Sequence, residues 1–356
     1  MKLIYFSQSL GKSGSYQRAA ADELARQHDV HFYGPGYDGF DKRAEVADVI
    51  AAAPWGSPDL LLIGHNWLSD KPGEARSASA AIHFADTSLP KVAILNKEYV
   101  NLDAKLRYMS DNKIDLAFTH HHDTRAYEKR TGIPFSFFPF AVDPEKFSAN
   151  GKRKDIDLFF TGILRNPSCP ETQTDARAEA QHKLFYHWGL TRLAKRIPYW
   201  KYRFQWRTYD QKHLSALSLF RNGSFFADDA RFGIAEYGCA MARSRVCFTG
   251  LSPLGLVGSR YYEAMAAGSL VICPRETVYD GLFEDGKHCV MFRPDFSDFE
   301  EKLRYYLDHE SERRAIADTA YRHVITHHTW EKRIDVMAKE IKTRLLPSNV
   351  PIGGKA

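Results

Sequence analysis

The sequence predicts an α/β protein with two domains, each built around a doubly wound parallel sheet. Its 356 residues exceed what a single hydrophobic core ordinarily holds. Short apolar runs typical of buried strands alternate with segments of helical periodicity from the N-terminus to about residue 140. The alternation stops at the polar, basic stretch 148–154 and then starts again. This pattern indicates a linker between two domains of the same class.

The first domain, assigned to residues 1–150, is expected to hold six strands with helices between them. Apolar runs of four to seven residues predict the strands, and apolar residues at intervals of three and four predict the helices. The predicted strands are 2–6, 30–33, 59–63, 91–95, 115–119 and 134–140, and the predicted helices are 15–27, 43–53, 103–110 and 124–130.

The second domain, assigned to residues 151–346, repeats the alternation and ends in helices. The segment 298–346 is helical throughout by its periodicity, and we expect its helices to close the second domain. Residues 347–356 are expected to be a disordered tail. The other predicted elements are strands at 156–160, 200–206, 245–249 and 269–273 and helices at 175–195, 233–242 and 259–267.

Composition narrows the class of protein. Hydrophobic residues make up 44% and charged residues 26% of the chain, and no apolar run approaches the ~20 residues of a membrane span. Five cysteines, none in a CxxC pair, indicate reduced thiols, a cytoplasmic protein and no cysteine-based metal site. The net charge of +5 suits anionic small molecules or a membrane surface, and it is too small for a nucleic-acid-binding protein.

Two glycine-rich stretches do not fit the phosphate-binding motifs that they resemble. GPGYDG at 34–39 satisfies G-x-G-x-x-G, but it follows the second predicted strand and has Pro35 inside the turn. We interpret it as an irregular loop. GKSG at 11–14 lacks the earlier glycine that a P-loop needs, because Phe6 occupies that position.

A carboxylate on the helix predicted at 259–267 has neighbours suited to a nucleotide. Ser259 and Arg260 precede Glu263 by four and three residues, so the three share one face of the helix. The first-turn N–H groups beside Gly258 attract phosphate, and an arginine neutralises a diphosphate. A carboxylate can accept two hydrogen bonds from a ribose diol. The competing interpretation is an ordinary surface pair between Arg260 and Glu263.

A longer segment around this helix resembles a known enzyme family. The stretch EYGCAMARSRVCFTGLSPLGLVGSRYYEAMAAGSLVIC resembles the C-terminal domain of GT-B glycosyltransferases. It looks most like the spore-maturation (CgeB-like) group among the group 1 glycosyltransferases, and it is similar also to exostosin-type enzymes. A tyrosine helix, a Ser-Arg strand and an Arg-x-x-Glu-Ala-x-x-x-Gly helix carry the resemblance. Here these are Tyr237, Ser244, Arg245, Arg260, Glu263, Ala264 and Gly268.

The resemblance extends beyond this segment, over roughly 115–345, and is strongest in 236–292. LFEDGKHCVMF resembles the family's turn before a strand, and HHTWEKRIDVM resembles its entry into the closing helix. FPFAVDPEKF resembles the exit from the N-terminal domain, and DIDLFFTGILR resembles the first strand of the C-terminal domain.

The resemblance implies a GT-B fold, in which two Rossmann-like domains face a cleft, and a nucleoside-diphosphate sugar as donor. Glu263 would bind the ribose, and no metal or other cofactor would be needed. One departure is that Gly255 stands where retaining family 4 enzymes carry the first acid of Glu-x7-Glu. The remaining donor-site residues implied are Ser259, Arg260 and Arg165 at the phosphates, Thr161 and Gly162 lining the cleft, and Tyr237 and Gly258 beside them.

Candidates for the catalytic base follow strands of the first domain, because open α/β sheets bind ligands at the carboxyl ends of their strands. They are His65, Glu98 and His120. Each is also compatible with an ordinary hydrogen-bonded loop residue. The run from His120 to His122 could suggest a metal, but adjacent residues on an extended chain point to opposite faces. We therefore expect no metal site there.

The densest basic and aromatic cluster lies at 195–207. It fits a strip for anionic lipid or another polyanion. Its alternation in KYRFQWR fits better a strand with one buried aromatic face and one solvated face.

The sequence therefore predicts a cytoplasmic, metal-independent GT-B glycosyltransferase. Its partners would be a nucleotide sugar and a hydroxyl-bearing acceptor (glycan, lipid, protein or small molecule), with peripheral membrane contact left open and no nucleic acid. The alternatives are a GT-B sugar-nucleotide epimerase and a non-catalytic nucleotide- or polyanion-binding protein. A dehydrogenase is disfavoured by the misplaced glycine motif. The sugar, acceptor, stereochemistry and oligomeric state are not determined by the sequence.

Overall fold

The chain divides into two compact units in a computed structural model. Unit 1 combines Met1–Pro139 with Trp330–Ala356, and unit 2 is Phe140–Thr329. The predicted helix at 175–195, the tail at 347–356 and Arg165 lie outside the described residues. The structure describes residues 1–9, 16–70, 76–98, 100–149, 151–162, 204–208, 234–250, 255–295 and 297–346.

Unit 1 is built on one six-stranded sheet in which every pair of neighbours is parallel. The strands are β1 (Lys2–Phe6), β2 (Asp29–Tyr33), β3 (Leu60–Ile63), β4 (Lys91–Leu95), β5 (Leu116–Thr119) and β6 (Phe135–Phe137), in the order β2-β1-β3-β4-β5-β6. The connecting helices are α1 (Tyr16–Gln27), α2 (Val46–Ala51), α3 (Leu102–Asp111) and α4 (Thr124–Thr131).

The inner strands of this sheet explain why helices cover both of its faces. All four residues of β3 and all four of β5 are buried, so neither face of these strands meets solvent. Two elements are shorter than predicted. The helix expected at 43–53 is shorter because Glu45 caps it, donating its N–H to the Asp48 carboxylate at 3.0 Å. The strand expected at 134–140 pairs with β5 only over Phe135–Phe137.

Unit 2 contains a second parallel sheet. Its described strands are β7 (Ile156–Gly162), β8 (Phe204–Thr208), β9 (Ser244–Phe248), β10 (Leu270–Pro274) and β11 (Val290–Phe292), in the order β11-β10-β9-β7-β8. The strand predicted at 200–206 is described only from Phe204 onward. The described helices are α5 (Ile234–Ala242), α6 (Ser259–Ala266), α7 (Phe299–Asp308) and α8 (Glu310–His327).

The last helix, α9 (Trp330–Leu345), belongs to unit 1. Its apolar stripe packs against α1, and Trp330 stacks on Tyr16 with ring centroids 6.4 Å apart. The expectation that the C-terminal helices close the second domain therefore holds for α7 and α8 but not for α9. None of the helices in the described part of the chain is long and apolar enough to cross a bilayer. The apolar stripe of α9 that packs against α1 consists of Trp330, Ile334, Met337, Ala338 and Ile341.

The predicted linker at 148–154 lies inside unit 2, since the division falls between Pro139 and Phe140. Lys154 ties its end to the core of that unit, with its ammonium 3.3 Å from the carbonyl of Ala267 and 3.2 Å from the hydroxyl of Ser269. Burial lowers the pKa of Lys154 to about 8. The assignment of an acceptor role and a donor role to the two domains remains a prediction.

The loop GPGYDG packs against the end of β1, as an irregular loop with no dinucleotide-binding helix after it. Gly34 has a φ of +147°, and a Cβ there would stand 2.0 Å from the carbonyl oxygen of Ser7. Only glycine fits such an approach of two backbone segments.

We expect Gly34→Ala to lower the free energy of unfolding by at least about 2 kcal/mol, because either the loop or β1 must move. Gly56→Ala is the matched control, since Gly56 also has a positive φ but nothing within 4 Å of its Cβ position. The control should cost only about 1 kcal/mol. Urea unfolding of both variants tests the difference, and equal losses would show that the packing against Ser7 is not tight.

Candidate functional site

The helix α6 carries a buried carboxylate, that of Glu263, near its own N-terminus. The helix begins after Gly258, whose extended backbone precedes the first turn, and ends before Gly268 in the left-handed conformation at φ +68°. All residues from Tyr261 to Ala266 are buried, because the small side chains that follow Glu263 allow close packing against α5, α8 and β10.

Glu263 is only 8% exposed and has polar neighbours on both sides. The Tyr237 hydroxyl donates a hydrogen bond to Glu263 Oε2 at 3.0 Å. Burial raises the pKa of Glu263, while hydrogen bonds from Ser259 and Tyr237 and the charge of Arg260 act against that rise. The predicted grouping of Ser259, Arg260 and Glu263 on one face is thus realised, with Tyr237 as a further member.

Tyr237 is held in place by its own packing. It lies on α5, and its ring packs edge-on against Phe147 at a centroid distance of 5.7 Å and at a tilt against Phe159 at 6.3 Å. The neighbouring Gly238 lets this helix approach closely, since a Cβ there would be 2.6 Å from the carbonyl of Lys146. The carboxylate of Glu263 is therefore oriented by a tyrosine with little freedom to move.

In unit 1, polar side chains collect at the carboxyl ends of four adjacent strands. Because the strands are parallel, their carboxyl ends share one edge of the sheet. A chain of hydrogen bonds runs along this edge: Gln17 to His65 at 2.6 Å, Gln17 to the Tyr16 hydroxyl at 3.1 Å, and Asn96 to the same hydroxyl at 2.7 Å. The amide of Asn66 donates to the carbonyl of Gln8 at 2.9 Å.

Glu98, three residues beyond β4, is the most deeply buried acid on this edge. It is 1% exposed, and its Oε1 accepts a hydrogen bond from the Thr119 hydroxyl at 2.6 Å. Its Oε2 is buried and has no hydrogen-bond partner among the residues that the structure describes. Burial raises the pKa of Glu98. A carboxylate with one oxygen hydrogen-bonded and the other still without a donor suits an incoming proton donor.

The two histidine candidates are buried as neutral rings. Burial lowers the pKa of His65 to about 4 and that of His120 to about 3. His120 Nδ1 lies 2.5 Å from the carbonyl of Phe138, so this nitrogen carries the proton and donates it. Both rings are weak bases in this setting, and Glu98 is the better candidate.

The other two histidines of the triple run do not join His120. His121 and His122 stack on each other with centroids 4.7 Å apart, and the backbone N–H of Asp123 donates to His121 Nδ1. Within the described residues, no three His, Cys, Asp or Glu side chains are grouped so as to hold a metal ion.

The remaining predicted site residues belong to the second sheet or lie outside the described part of the chain. Thr161 and Gly162 end β7, at the carboxyl edge of the second sheet. Arg165 lies outside the described residues. The basic-aromatic cluster contributes β8, which pairs with β7 along its length, and this favours a sheet strand over a surface strip.

Comparison with known proteins identifies the class. Residues 222–339, which include α5 and α6, match the family described as glycosyl transferase-like. The chain has the GT-B fold and carries a glycosyl transferase-like domain. This confirms the predicted glycosyltransferase class, while nothing supports the epimerase alternative. No curated protein matches the sequence.

Solved structures share the fold across nearly the whole chain at low sequence identity. Sucrose-phosphate synthase from Thermosynechococcus elongatus is 12% identical with a TM-score of 0.60, covering 96% of this chain and 99% of that one. Anabaena HepE, in a complex with UDP and glucose, is 14% identical with a TM-score of 0.62, covering 96% and 100%. A glycosyltransferase from Rickettsia africae is 10% identical with a TM-score of 0.61, covering 98% and 99%.

Sequence reasoning missed the residues that hold the unit 1 edge together. Tyr16 and Gln17 begin α1 and bridge β3 to β4, and Lys105 reaches the loop after β4 from α3. A tyrosine or a lysine in an amphipathic helix carries no local signal for such a contact. The positions become neighbours only when the sheet forms.

The buried histidines predict an acid-sensitive fold. The ordinary pKa of histidine is about 6.5, and the folded-state pKa of His120 is lower, so the unfolded chain binds the proton first as pH falls. The stability that neutral His120 contributes is therefore fully present above pH ~6.5 and is lost progressively as pH falls below that value. Between pH 7.5 and 5.0 we expect a loss of about 2 kcal/mol from His120, measured by urea unfolding. His120→Asn should show a correspondingly smaller loss, and an identical pH dependence would refute the assignment.

Proposed function

We propose that this glycosyltransferase takes its sugar from a nucleoside-diphosphate donor bound by unit 2. The observation that carries the proposal is the buried Glu263 beside the start of α6, within the segment that matches the glycosyl transferase-like family. Two proteins of the same fold, Anabaena HepE and the pneumococcal O-GlcNAc transferase GtfA, have been solved in complex with UDP, alone or with a sugar. These proteins are only distantly similar, so they support the donor class and leave the base and sugar open.

Each element of the donor face has a separate chemical task. The first-turn N–H groups of α6, with Ser259 and Arg260, would bind the diphosphate and stabilise the charge that develops on it as the leaving group departs. Arg165 and the end of β7 at Thr161 and Gly162 would extend this phosphate site. Glu263 accepts from Tyr237 and Ser259 and keeps lone pairs for a ribose diol.

We propose further that unit 1 binds the acceptor and that Glu98 is the general base. Its Oε2 would take the proton of the acceptor hydroxyl while the hydroxyl oxygen bonds to the anomeric carbon. The bond from that carbon to the diphosphate oxygen breaks, and its electron pair leaves with the nucleoside diphosphate. Such a displacement inverts the anomeric configuration. His65 and His120 would stay neutral in this reaction and act only as hydrogen-bonding groups, without taking the proton.

The proposed reaction uses no metal, because arginine and the helix N-terminus can carry the diphosphate charge. A cytoplasmic location, with the membrane surface as one source of acceptors, remains part of the proposal and rests on composition alone.

The donor site predicts opposite effects of Glu263→Gln on binding and on stability. The amide cannot serve a ribose diol as a carboxylate does, so nucleotide stabilisation should disappear. Because the folded-state pKa of Glu263 is raised, its charged form costs stability as pH rises through that pKa. The free variant should therefore melt about 2 °C or more above wild type at neutral pH, with the gain vanishing at low pH.

A thermal-shift panel with UDP, GDP, CDP, ADP, dTDP and NAD(H) measures both effects. A nucleotide at ~100 times its Kd adds roughly 2.7 kcal/mol to wild type. Tyr237→Phe is the matched control, since it removes one hydrogen bond to Glu263 and keeps the carboxylate, and it should retain weakened binding. A Glu263→Gln protein that binds as tightly as wild type would eliminate the ribose role.

The base assignment predicts that Glu98→Gln lowers kcat by about 10²- to 10⁴-fold while the donor Kd stays unchanged. Release of nucleoside diphosphate from the donor that the panel identifies gives the rate, and thermal shift gives the Kd. Glu331→Gln, at an exposed site of the same unit, serves as the control. Full activity in Glu98→Gln would assign the base elsewhere.

A further inference from the structure

The loop that carries Glu98 has an unusual backbone. Lys97 has a φ of +51° and Asn101 a φ of +53°, the left-handed region that side-chain-bearing residues rarely occupy. The left-handed conformation costs free energy at such residues, and it persists only where the surroundings over-determine it. Glu98 lies between these two residues.

The side chain of Lys105 holds this loop in place through hydrogen bonds to its backbone. It sits in the first turn of α3 with its side chain 2% exposed. Its ammonium is 3.0 Å from the carbonyl of Asn96, 3.3 Å from the carbonyl of Lys97 and 2.8 Å from Asp70 Oδ1. All three of these hydrogen bonds go to the loop or to the acid beside it.

Asp70 also holds the loop, because its carboxylate accepts hydrogen bonds from two lysines. Its other oxygen accepts from the Lys97 ammonium at 2.8 Å, so one carboxylate holds both the buried lysine and the left-handed residue. The Asn96 side chain accepts from the N–H of Lys97 at 2.6 Å. The loop is thereby fixed on both sides of the Lys97 turn.

A second buried lysine at the opposite end of the same strand offers a structural comparison. Lys91 begins β4, and its ammonium donates to the carbonyls of Thr87 and Leu89 at 3.2 and 3.1 Å, with Asp115 at 3.6 Å. It makes the same kinds of bonds as Lys105, yet at the amino edge of the sheet, away from Glu98.

We propose that Asp70 and Lys105 are positioning residues that hold the 96–98 loop in its strained conformation and so keep the Glu98 carboxylate buried, with Oε2 available to accept a hydrogen bond. The proposal rests on the role assigned to Glu98 above. Because Lys105 binds loop carbonyls and Asp70, it acts on the backbone that presents Glu98, and neither residue need touch substrate.

The charged and polar groups around Glu98 set the expected readout. Burial is the main cause of its raised pKa; the hydrogen bonds from Thr119 and from the backbone of Glu98 itself and the charge of Lys105 act against the rise, and Asp70 adds to it. The charge of Glu98 also acts on Tyr127 of α4, where it contributes to a raised pKa that is mainly due to burial. If Lys105 positions the loop, its removal lets water reach Glu98, and the pKa falls towards the ordinary value. If Lys105 is only a nearby charge on a rigid loop, its removal raises the pKa.

The test compares Lys105→Met with Lys91→Met in the full chain. The pKa of Glu98 is measured by ¹³C NMR on protein labelled at glutamate carboxyl carbons, with the resonance assigned by Glu98→Gln. We expect Lys105→Met to lower this pKa by at least about 0.5 pH unit and Lys91→Met to leave it unchanged, although both variants lose stability. Native-state trypsin cleavage after Lys97 should rise about tenfold in Lys105→Met alone.

Other outcomes overturn the proposal. An unchanged or raised Glu98 pKa in Lys105→Met, or an equal fall in Lys91→Met, would show that the pair does not position the loop. Should Lys105→Met fail to fold, Asp70→Asn tests the same idea, since it releases Lys97 and should increase cleavage there. These readouts need no substrate, so a failed proposal is distinguishable from an incorrect function. Once the donor is known, Lys105→Met should lower kcat and leave the KM for the donor unchanged.

Discussion

Parallel pairing of the strands decides where chemistry can take place in each unit. Every described strand of both sheets runs parallel to its neighbours, so all carboxyl ends in a sheet lie on one edge. Parallel strands require crossover helices, which bury both faces of the sheet and leave that edge as the place where polar side chains gather. Glu98 and Thr119 meet there although 21 residues separate them. The same geometry places the end of β7 on the corresponding edge of the second sheet.

Two buried carboxylates stand against the general tendency to exclude charge from protein interiors. Glu98 and Glu263 are at most 8% exposed, and burial raises the pKa of each. Each has a hydroxyl donor, Thr119 in one case and Tyr237 in the other. Neither has a full set of donors from the protein within the contacts described. A carboxylate kept in this state costs stability unless a ligand supplies the missing donors.

The two units use aromatic packing differently to support these acids. In unit 2, Tyr237 is wedged against Phe147 and Phe159, so its hydroxyl is delivered to Glu263 in one orientation. In unit 1, Tyr16 stacks on Trp330 from α9 and accepts hydrogen bonds from Asn96 and Gln17. The C-terminal helix therefore helps to fix the start of α1, which explains why it belongs to unit 1 although its sequence follows the second sheet.

The sequence by itself determined the two-sheet architecture, most strand positions and the helix that carries Glu263. These features are local: apolar runs give the strands, and the spacing of Ser259, Arg260 and Glu263 puts them on one helical face whatever the helix packs against. Only the tertiary structure separates the base candidates by their pKa, because burial lowers the pKa of His120 and raises that of Glu98 by amounts that depend on surrounding atoms. It also decided the contacts of Lys105 and the destination of α9. The sequence of an amphipathic helix determines which of its faces is buried, but only the tertiary structure determines which element that face packs against.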